Sequence, residues 1–254
     1  MMKFPFWTAG ALTLLGGWAV HAGEPVVWRS GPKQTALLEL FTSEGCSSCP
    51  PAEKWLSGLT NSPALWQDVV PVEFHVDYWD NLGWTDRFAS PDYTARQQRY
   101  AGLWKSPTIY TPGFVLNGTE WRAGFGGSGF PMGDRSISGV LEVKPLTTNS
   151  LSVKYVVDPA NSRTGSLEVT AAWLGSDTVS DIRRGENAGS RLHHPFVVLR
   201  TITIPLQPHD GTATAVVQLP RIPRENSARL GIAVWVSREG NPIPEQATGG
   251  WWAP

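Results

Sequence analysis

Cys46 and Cys49, the two cysteines of this chain, sit three positions apart where one sequence pattern stops and another begins. Before them, Ala36 to Phe41 is a short, mostly apolar run of strand length. After them, Ala52, Trp55, Leu56 and Leu59 recur at i, i+3, i+4 and i+7, which is one face of a helix. A Cys-Ser-Ser-Cys segment pinned between a strand and a first helical turn restricts this region to strand–helix alternation. Three chemistries fit the pair. A staple would close a loop of four residues, worth about 2 kcal/mol on the chain-entropy scale against about 4.7 kcal/mol for a 100-residue loop. A redox pair would use the free amides and dipole of the helix N-terminus, which stabilise the attacking thiolate. A metal site would recruit both sulfurs and a further ligand.

Beyond the cysteines the alternation continues. Val69 to Asp77 reads as the second strand, with Glu73, His75 and Asp77 on one face. Ser90-Pro91 is a cap followed by proline at the first helical position, opening a helix with Tyr93, Gln97, Tyr100 and Trp104 down one side. Asn117-Gly118 between two short apolar runs predicts a tight hairpin, and Asp134 is placed to cap a last helix through Leu141. From about Thr147 the pattern changes to short β-branched runs, Leu151–Val157, Ser166–Trp173, Phe196–Ile204, Ala213–Leu219 and Leu230–Val236. These read as a small β-sandwich, with 176–190 as a long exposed loop.

Strand, CxxC, helix, strand, helix, Thr111-Pro112 and hairpin, in that order, resemble the thioredoxin-like proteins. More narrowly, the run from Glu39 to Ala52, the His75-Val76-Asp77-Tyr78-Trp79-Asp80 segment, Leu82-Gly83-Trp84, Arg96-Gln97, Tyr110-Thr111-Pro112 and Arg184-Gly185-Glu186-Asn187 resemble the secreted thioredoxin-like family filed as domain of unknown function 1223. The chain departs from standard thioredoxins in its Ser47-Ser48 pair and in Gly45 before the cysteines, and Gly113 stands where the family pattern has Gln. The resemblance implies an α/β thioredoxin-like domain over residues 35–146, followed by an all-β, sandwich-like accessory domain over 147–254. It also implies a cis Pro112 beside the cysteines.

The site expected from these observations has Cys46 as an exposed attacking thiol and Cys49 as the resolving thiol, supported by Thr111, Pro112, Glu39, His75 and Asp77. Glu39 interrupts an apolar strand, as a proton relay to the cysteines or as half of a salt bridge to Arg96 or Arg99. Trp79, Trp84, Trp104 and Trp121 either rim the site or pack in the core. The expected reaction is thiol–disulfide exchange, which needs no cofactor and assigns no metal ligand. The alternative is a non-catalytic binding module, holding Cu(I) between both thiolates and His75 or presenting a peptide groove. His193 and His194 point to opposite faces of any strand and cannot easily share one ion.

The N-terminus suggests where this chemistry takes place. Lys3 precedes a run from Phe4 to Val20 that ends in Val20-His21-Ala22, the pattern of a secretory signal peptide cleaved after Ala22. Residues 1–22 are therefore expected to be removed and the remainder to be periplasmic or secreted, where disulfides persist, with no membrane association after cleavage. Expected partners are exported cysteine-containing proteins or a redox partner. Nucleic acid is excluded: 21 Lys and Arg face 22 Asp and Glu, and charged residues are only 17% of the chain.

Overall fold

The structure is a computed structural model that describes residues 1–2, 26–122, 135–161, 165–222 and 227–252. The expected signal segment 1–22 lies outside the described residues except for Met1 and Met2, as does Asp134, the expected helix cap. In chain order the elements begin with β1 (Trp28–Arg29), β2 (Ala36–Thr42), α1 (Pro50–Ser57), β3 (Val69–His75), α2 (Pro91–Trp104), β4 (Gly113–Leu116) and β5 (Thr119–Glu120). They continue through β6 (Gly139–Thr147), β7 (Ser150–Val157), β8 (Leu167–Ser176), β9 (Thr178–Asp181) and β10 (Arg191–His194). The last are β11 (Val197–Pro205), β12 (Gln207–His209), β13 (Thr212–Gln218), β14 (Arg229–Arg238) and β15 (Pro244–Trp251).

The expected fold class is overturned by how these strands pair. An eight-stranded mixed sheet runs β15-β14-β8-β11-β3-β2-β4-β5, so strands from both halves of the sequence share it. A five-stranded sheet, β1-β6-β7-β13-β12, packs against it, and β9 and β10 form a separate hairpin. Only two α-helices occur among the described residues. The expected last helix gives way to β6, where Leu141 and Val143 are buried while Glu142 and Lys144 are not, a period of two rather than 3.6. The chain is therefore a predominantly β protein built on one mixed and one antiparallel sheet, not an α/β thioredoxin-like domain followed by a separate sandwich. The expected exposed loop at 176–190 likewise contains β9.

The physical reason is that the central strands bury both faces. On β14, Ala233 and Trp235 enter a core with Leu40, Phe74, Leu56 of α1 and Tyr100 of α2. The alternate residues Ile232, Val234 and Val236 enter a second core with Leu141, Leu151, Val153 and Tyr155 of the five-stranded sheet. β8 divides in the same way, with Ala172 and Leu174 on one side and Val169, Ala171 and Trp173 on the other. Neither half of the sequence can complete its apolar packing without these strands.

Local signals still fix individual elements. Ser90 Oγ accepts from the Asp92 N–H at the start of α2, and Tyr93, Gln97 and Tyr100 line its buried side. The β4–β5 turn takes φ of 49° at Asn117 and 82° at Gly118, values that Asn and Gly tolerate. Any Cβ at Gly118 would also stand 2.7 Å from Ile243 Cγ1. Deeper in, Glu39 of β2 receives Arg96 Nε at 2.5 Å and Nη2 at 3.1 Å. Arg96 Nη2 and the Tyr100 hydroxyl also donate to the Pro242 carbonyl. This network ties β2, α2 and the segment before β15 together with little contact with water.

Two outcomes follow from this packing. A 23–146 fragment lacks Leu174, Phe196, Val198 and Trp235, each fully or almost fully buried. At about 1.5–3 kcal/mol per buried large apolar side chain, the loss rivals the roughly 5–15 kcal/mol that holds a domain folded. The fragment should bind a hydrophobic dye and melt without a cooperative transition; a sharp urea transition would contradict the shared core. Arg96→Met strands a buried carboxylate and should cost about 3–5 kcal/mol. Glu39→Leu combined with Arg96→Met should recover much of that in equilibrium unfolding.

Candidate functional site

Cys46 and Cys49 are joined in a disulfide with Cα atoms 5.5 Å apart. Cys49 is the N-cap of α1 and its carbonyl accepts from the Ala52 and Glu53 amides. Two prolines, Pro50 and Pro51, occupy the first turn, where their missing N–H groups cost nothing. Ser47 and Ser48 are exposed, but both cysteines are 0% exposed. This corrects the expectation of an exposed Cys46.

The cover comes from the loop between β9 and β10. Asn187 Nδ2 donates to the Glu44 carbonyl at 2.9 Å and to the Cys46 carbonyl at 3.0 Å. Glu186 Oε2 accepts from the Ser47 amide at 3.2 Å, and the Ser47 hydroxyl first, with this amide, holds that carboxyl below its usual range. Arg87 Nη2 anchors the hairpin through the Val179 carbonyl and Ser180 Oγ. On another side Trp79 packs against Gly45, where an added Cβ would stand 3.1 Å from Trp79 Cβ.

Behind the disulfide lies a group of ionisable side chains removed from water. Glu44, Glu53, Glu73, His75, Asp86 and His194 are each at most 3% exposed. β3 supplies Glu73 and His75, which share a face two residues apart. α1 supplies Glu53, whose Oε1 accepts from Thr42 Oγ1 at 2.6 Å, and β10 supplies His194. His75 Nδ1 lies 2.6 Å from Asp86 Oδ2 and its Nε2 lies 3.0 Å from Glu73 Oε1. His194 Nδ1 lies 3.0 Å from Glu53 Oε2 and 3.4 Å from Glu73 Oε1, and its Nε2 lies 3.3 Å from Glu44 Oε1. One ligand atom from each of Glu53, Glu73, His75 and His194 fits within 4.8 Å of all the others.

The electrostatics follow from this pairing. Burial opposes charge on His75, yet the charge and hydrogen bond of Asp86, with the hydrogen bond of Glu73, lift its pKa to about 10. Burial is likewise outweighed at His194, which Glu53, then Glu44 and Glu73, raise well above the ordinary value. Burial alone would raise the two carboxyls, but His194 and His75 hold Glu73 low and His75 holds Asp86 low.

The residues expected at the site are thus dispersed in role. The Thr111–Pro112 bond is cis, and Thr111 Oγ1 accepts from Trp79 Nε1 at 2.8 Å, which links this turn through Trp79 to Gly45. Glu39 is committed to Arg96 and Tyr100, not to the cysteines. Asp77 lies beyond the end of β3 and its Oδ1 accepts from Thr94 Oγ1 of α2 at 2.6 Å. Of the four tryptophans, Trp79 and Trp84 flank the cysteine segment, with Trp84 Nε1 donating to Glu44 Oε2. Trp104 and Trp121 pack instead on Tyr100 and on Trp55 with Phe114. The sulfurs are bonded to each other and His75 is surrounded by Glu73, Asp86 and His194, so the Cu(I) triad is not assembled.

Sequence reasoning missed Glu44, Glu53, Asp86 and the inward turn of His194. Glu53 had a signal, since it sits between Ala52 and Leu56 on the buried side of α1. Strand alternation separates exposed His193, paired with Asp177, from buried His194. Asp86 lies in irregular chain and had no sequence signal.

Comparisons with known proteins accord with this architecture. Protein AGR_C_4864 of Agrobacterium tumefaciens is similar in structure with a TM-score of 0.54 and 22% identity, covering 86% of this chain and 94% of that one. HBP35 of Porphyromonas gingivalis is similar with a TM-score of 0.54 and 16% identity, covering 87% and 76%. At such identities the likeness shows the fold alone. No curated protein sequence matches. The family model described as protein of unknown function DUF1223 matches residues 37–237, and the chain belongs to that family.

Proposed function

We propose that this chain is an exported thiol–disulfide exchange protein working through Cys46 and Cys49. The observation that carries the reading is the placement of the bond. It closes a four-residue loop at the N-terminus of α1, where a staple contributes little and the positive end of the helix dipole favours a thiolate. Ser48 Oγ lies 3.4 Å from Cys46 Sγ, so a hydroxyl proton is available to the Cys46 thiolate. The signal-peptide pattern supports export, and exported cysteine-containing proteins or a redox partner are the expected clients.

The exchange conserves electrons within two dithiol–disulfide couples. A client thiolate attacks Cys46 Sγ, forming a mixed disulfide as the Cys46–Cys49 bond breaks and Cys49 leaves as a thiolate. The client's second thiolate then attacks the client sulfur of the mixed bond and releases Cys46. The client is oxidised by two electrons, the pair is reduced by two, and two protons end on the cysteines. The reverse sequence reduces a client disulfide. Since both sulfurs are covered, the β9–β10 loop must lift before either attack.

Two measurements check this reading. A Cys49→Ala variant lacks the resolving thiol and should retain mixed disulfides with exported proteins on Cys46; no covalent partner from cells, with Cys46 open to a small alkylating reagent, would remove the exchange reading. Asn187→Ala deletes two hydrogen bonds of the cover, each worth about 0.5–1.5 kcal/mol net. Reduction of the disulfide by dithiothreitol should then run roughly tenfold faster, and an unchanged rate would show that the sulfurs are reached without moving this loop.

A further inference from the structure

The donors behind the disulfide are arranged as a metal centre would require, and we infer that Glu53, Glu73, His75 and His194 form a binding site for one divalent transition ion of the zinc class. The site does not depend on the redox reading, since neither sulfur belongs to it.

Spacing is the first argument. Ligands about 2.0–2.2 Å from a tetrahedral ion stand roughly 3.3–3.6 Å apart. His194 Nδ1 is 3.0 Å from Glu53 Oε2 and 3.4 Å from Glu73 Oε1, and His75 Nε2 is 3.0 Å from Glu73 Oε1. The remaining pairs lie within 4.8 Å of one another, so the widest of them would close by about 1 Å to seat all four donors on one tetrahedral ion.

Orientation is the second. A ligating imidazole characteristically turns its other nitrogen to a carboxylate, which fixes the tautomer and strengthens the donor. His75 has this arrangement in full, whereas His194 has it by proximity alone, its Nε2 3.3 Å from Glu44 Oε1 without hydrogen-bond geometry. His75 presents Nε2 to Glu73 while Nδ1 meets Asp86, and Asp86 is itself held by the Glu44 and Phe88 amides. His194 presents Nδ1 to Glu53 and Glu73 while Nε2 faces Glu44. Glu44 is steadied in turn by Trp84 Nε1.

The third argument is independent of the cluster's own pairing. Glu73 Oε2 is fully buried and accepts no hydrogen bond, a costly state for a carboxylate oxygen. An ion ligated by Glu73 through a single oxygen would offset the unmet charge of this carboxylate while keeping the site four-coordinate. The donor set selects the ion. Two imidazoles disfavour calcium and magnesium, and the absence of a free thiolate or thioether disfavours Cu(I). Four protein donors buried from solvent describe a closed, structural centre rather than an open catalytic one. Because the ligands come from α1, β3 and β10, the ion would clamp the β9–β10 hairpin to the body of the protein.

The test uses the mature protein with its disulfide intact, refolded from guanidine with Zn²⁺, with Mn²⁺ or with no added metal, then gel-filtered and assayed for bound metal. One Zn²⁺ per chain is expected, and Co²⁺ in its place should give the intense visible d–d bands of a four-coordinate ion. His75→Gln and His194→Gln should each lose the ion, whereas exposed His193→Gln and the Cys46→Ser/Cys49→Ser double variant should keep it. Glu44→Gln and Asp86→Asn should weaken affinity by about 10–100-fold. Folded wild-type protein that retains no ion after refolding with either metal and shows no four-coordinate Co²⁺ spectrum would overturn the site, leaving the cluster held by protons. Equal loss in His193→Gln would also overturn it, by showing adventitious surface binding. Should the histidine variants not fold, the Co²⁺ spectrum of the wild type decides alone.

Discussion

The seam between β3 and β11 organises the molecule. These strands run parallel and meet at one residue pair, Val197 opposite Glu73, sealed by the Glu73 N–H donating to the Phe196 carbonyl at 3.0 Å. Through that short junction the four-strand set β15-β14-β8-β11 joins β3-β2-β4-β5 as one sheet. The same junction fixes the site. His194 is three residues before Val197, so the register that fuses the halves also brings its imidazole to Glu73 and His75. Fold and candidate chemistry thus share one local alignment.

Enclosing four carboxylates and two imidazoles is expensive, because an unpaired charge in a low-dielectric interior loses far more hydration than it regains. The arrangement survives by keeping each charge within reach of an opposite partner and by placing backbone amides and Trp84 against the outer carboxylates. The Glu39–Arg96–Tyr100 network shows the same physics in a simpler form, with one carboxylate, one guanidinium and a hydroxyl. The two clusters lie under different parts of the sheet and serve different ends. One closes the core between β2 and α2, and the other lies behind the cysteine segment.

How much of this could be read from the sequence depended on whether the determinants were local. The Ser90 cap, the Asn117-Gly118 turn and the first strands were legible because each is set by neighbours a few residues away. The fold class was not, because it turns on pairings such as Val197 with Glu73 and Ile232 with Trp173, which no periodicity discloses. The alternation of Leu141 and Val143 with Glu142 and Lys144 was present in the sequence, but an expected helix took precedence over it. At the site, the cysteines and the shared face of Glu73 and His75 were visible. Asp86 and Glu44 were not, because their role comes from loops that meet the site only after the sheet has formed, whereas Glu53 was marked by its place on the buried side of α1.

The cover over the cysteines has a property that sets it apart from a side-chain latch. Asn187 and Glu186 grip the Glu44 carbonyl, the Cys46 carbonyl and the Ser47 amide, all of them main-chain groups. Main-chain atoms are the same whatever residue occupies the position and whatever the oxidation state of the sulfur. The loop therefore recognises the path of the backbone and is blind to the chemistry beneath it. A cysteine replaced by serine, or a pair already reduced, still presents the same three anchor points, provided the turn keeps its shape. The grip of the loop is thus set by the curvature of residues 44–47, which places these three main-chain groups, and not by the side chains that carry the sulfurs.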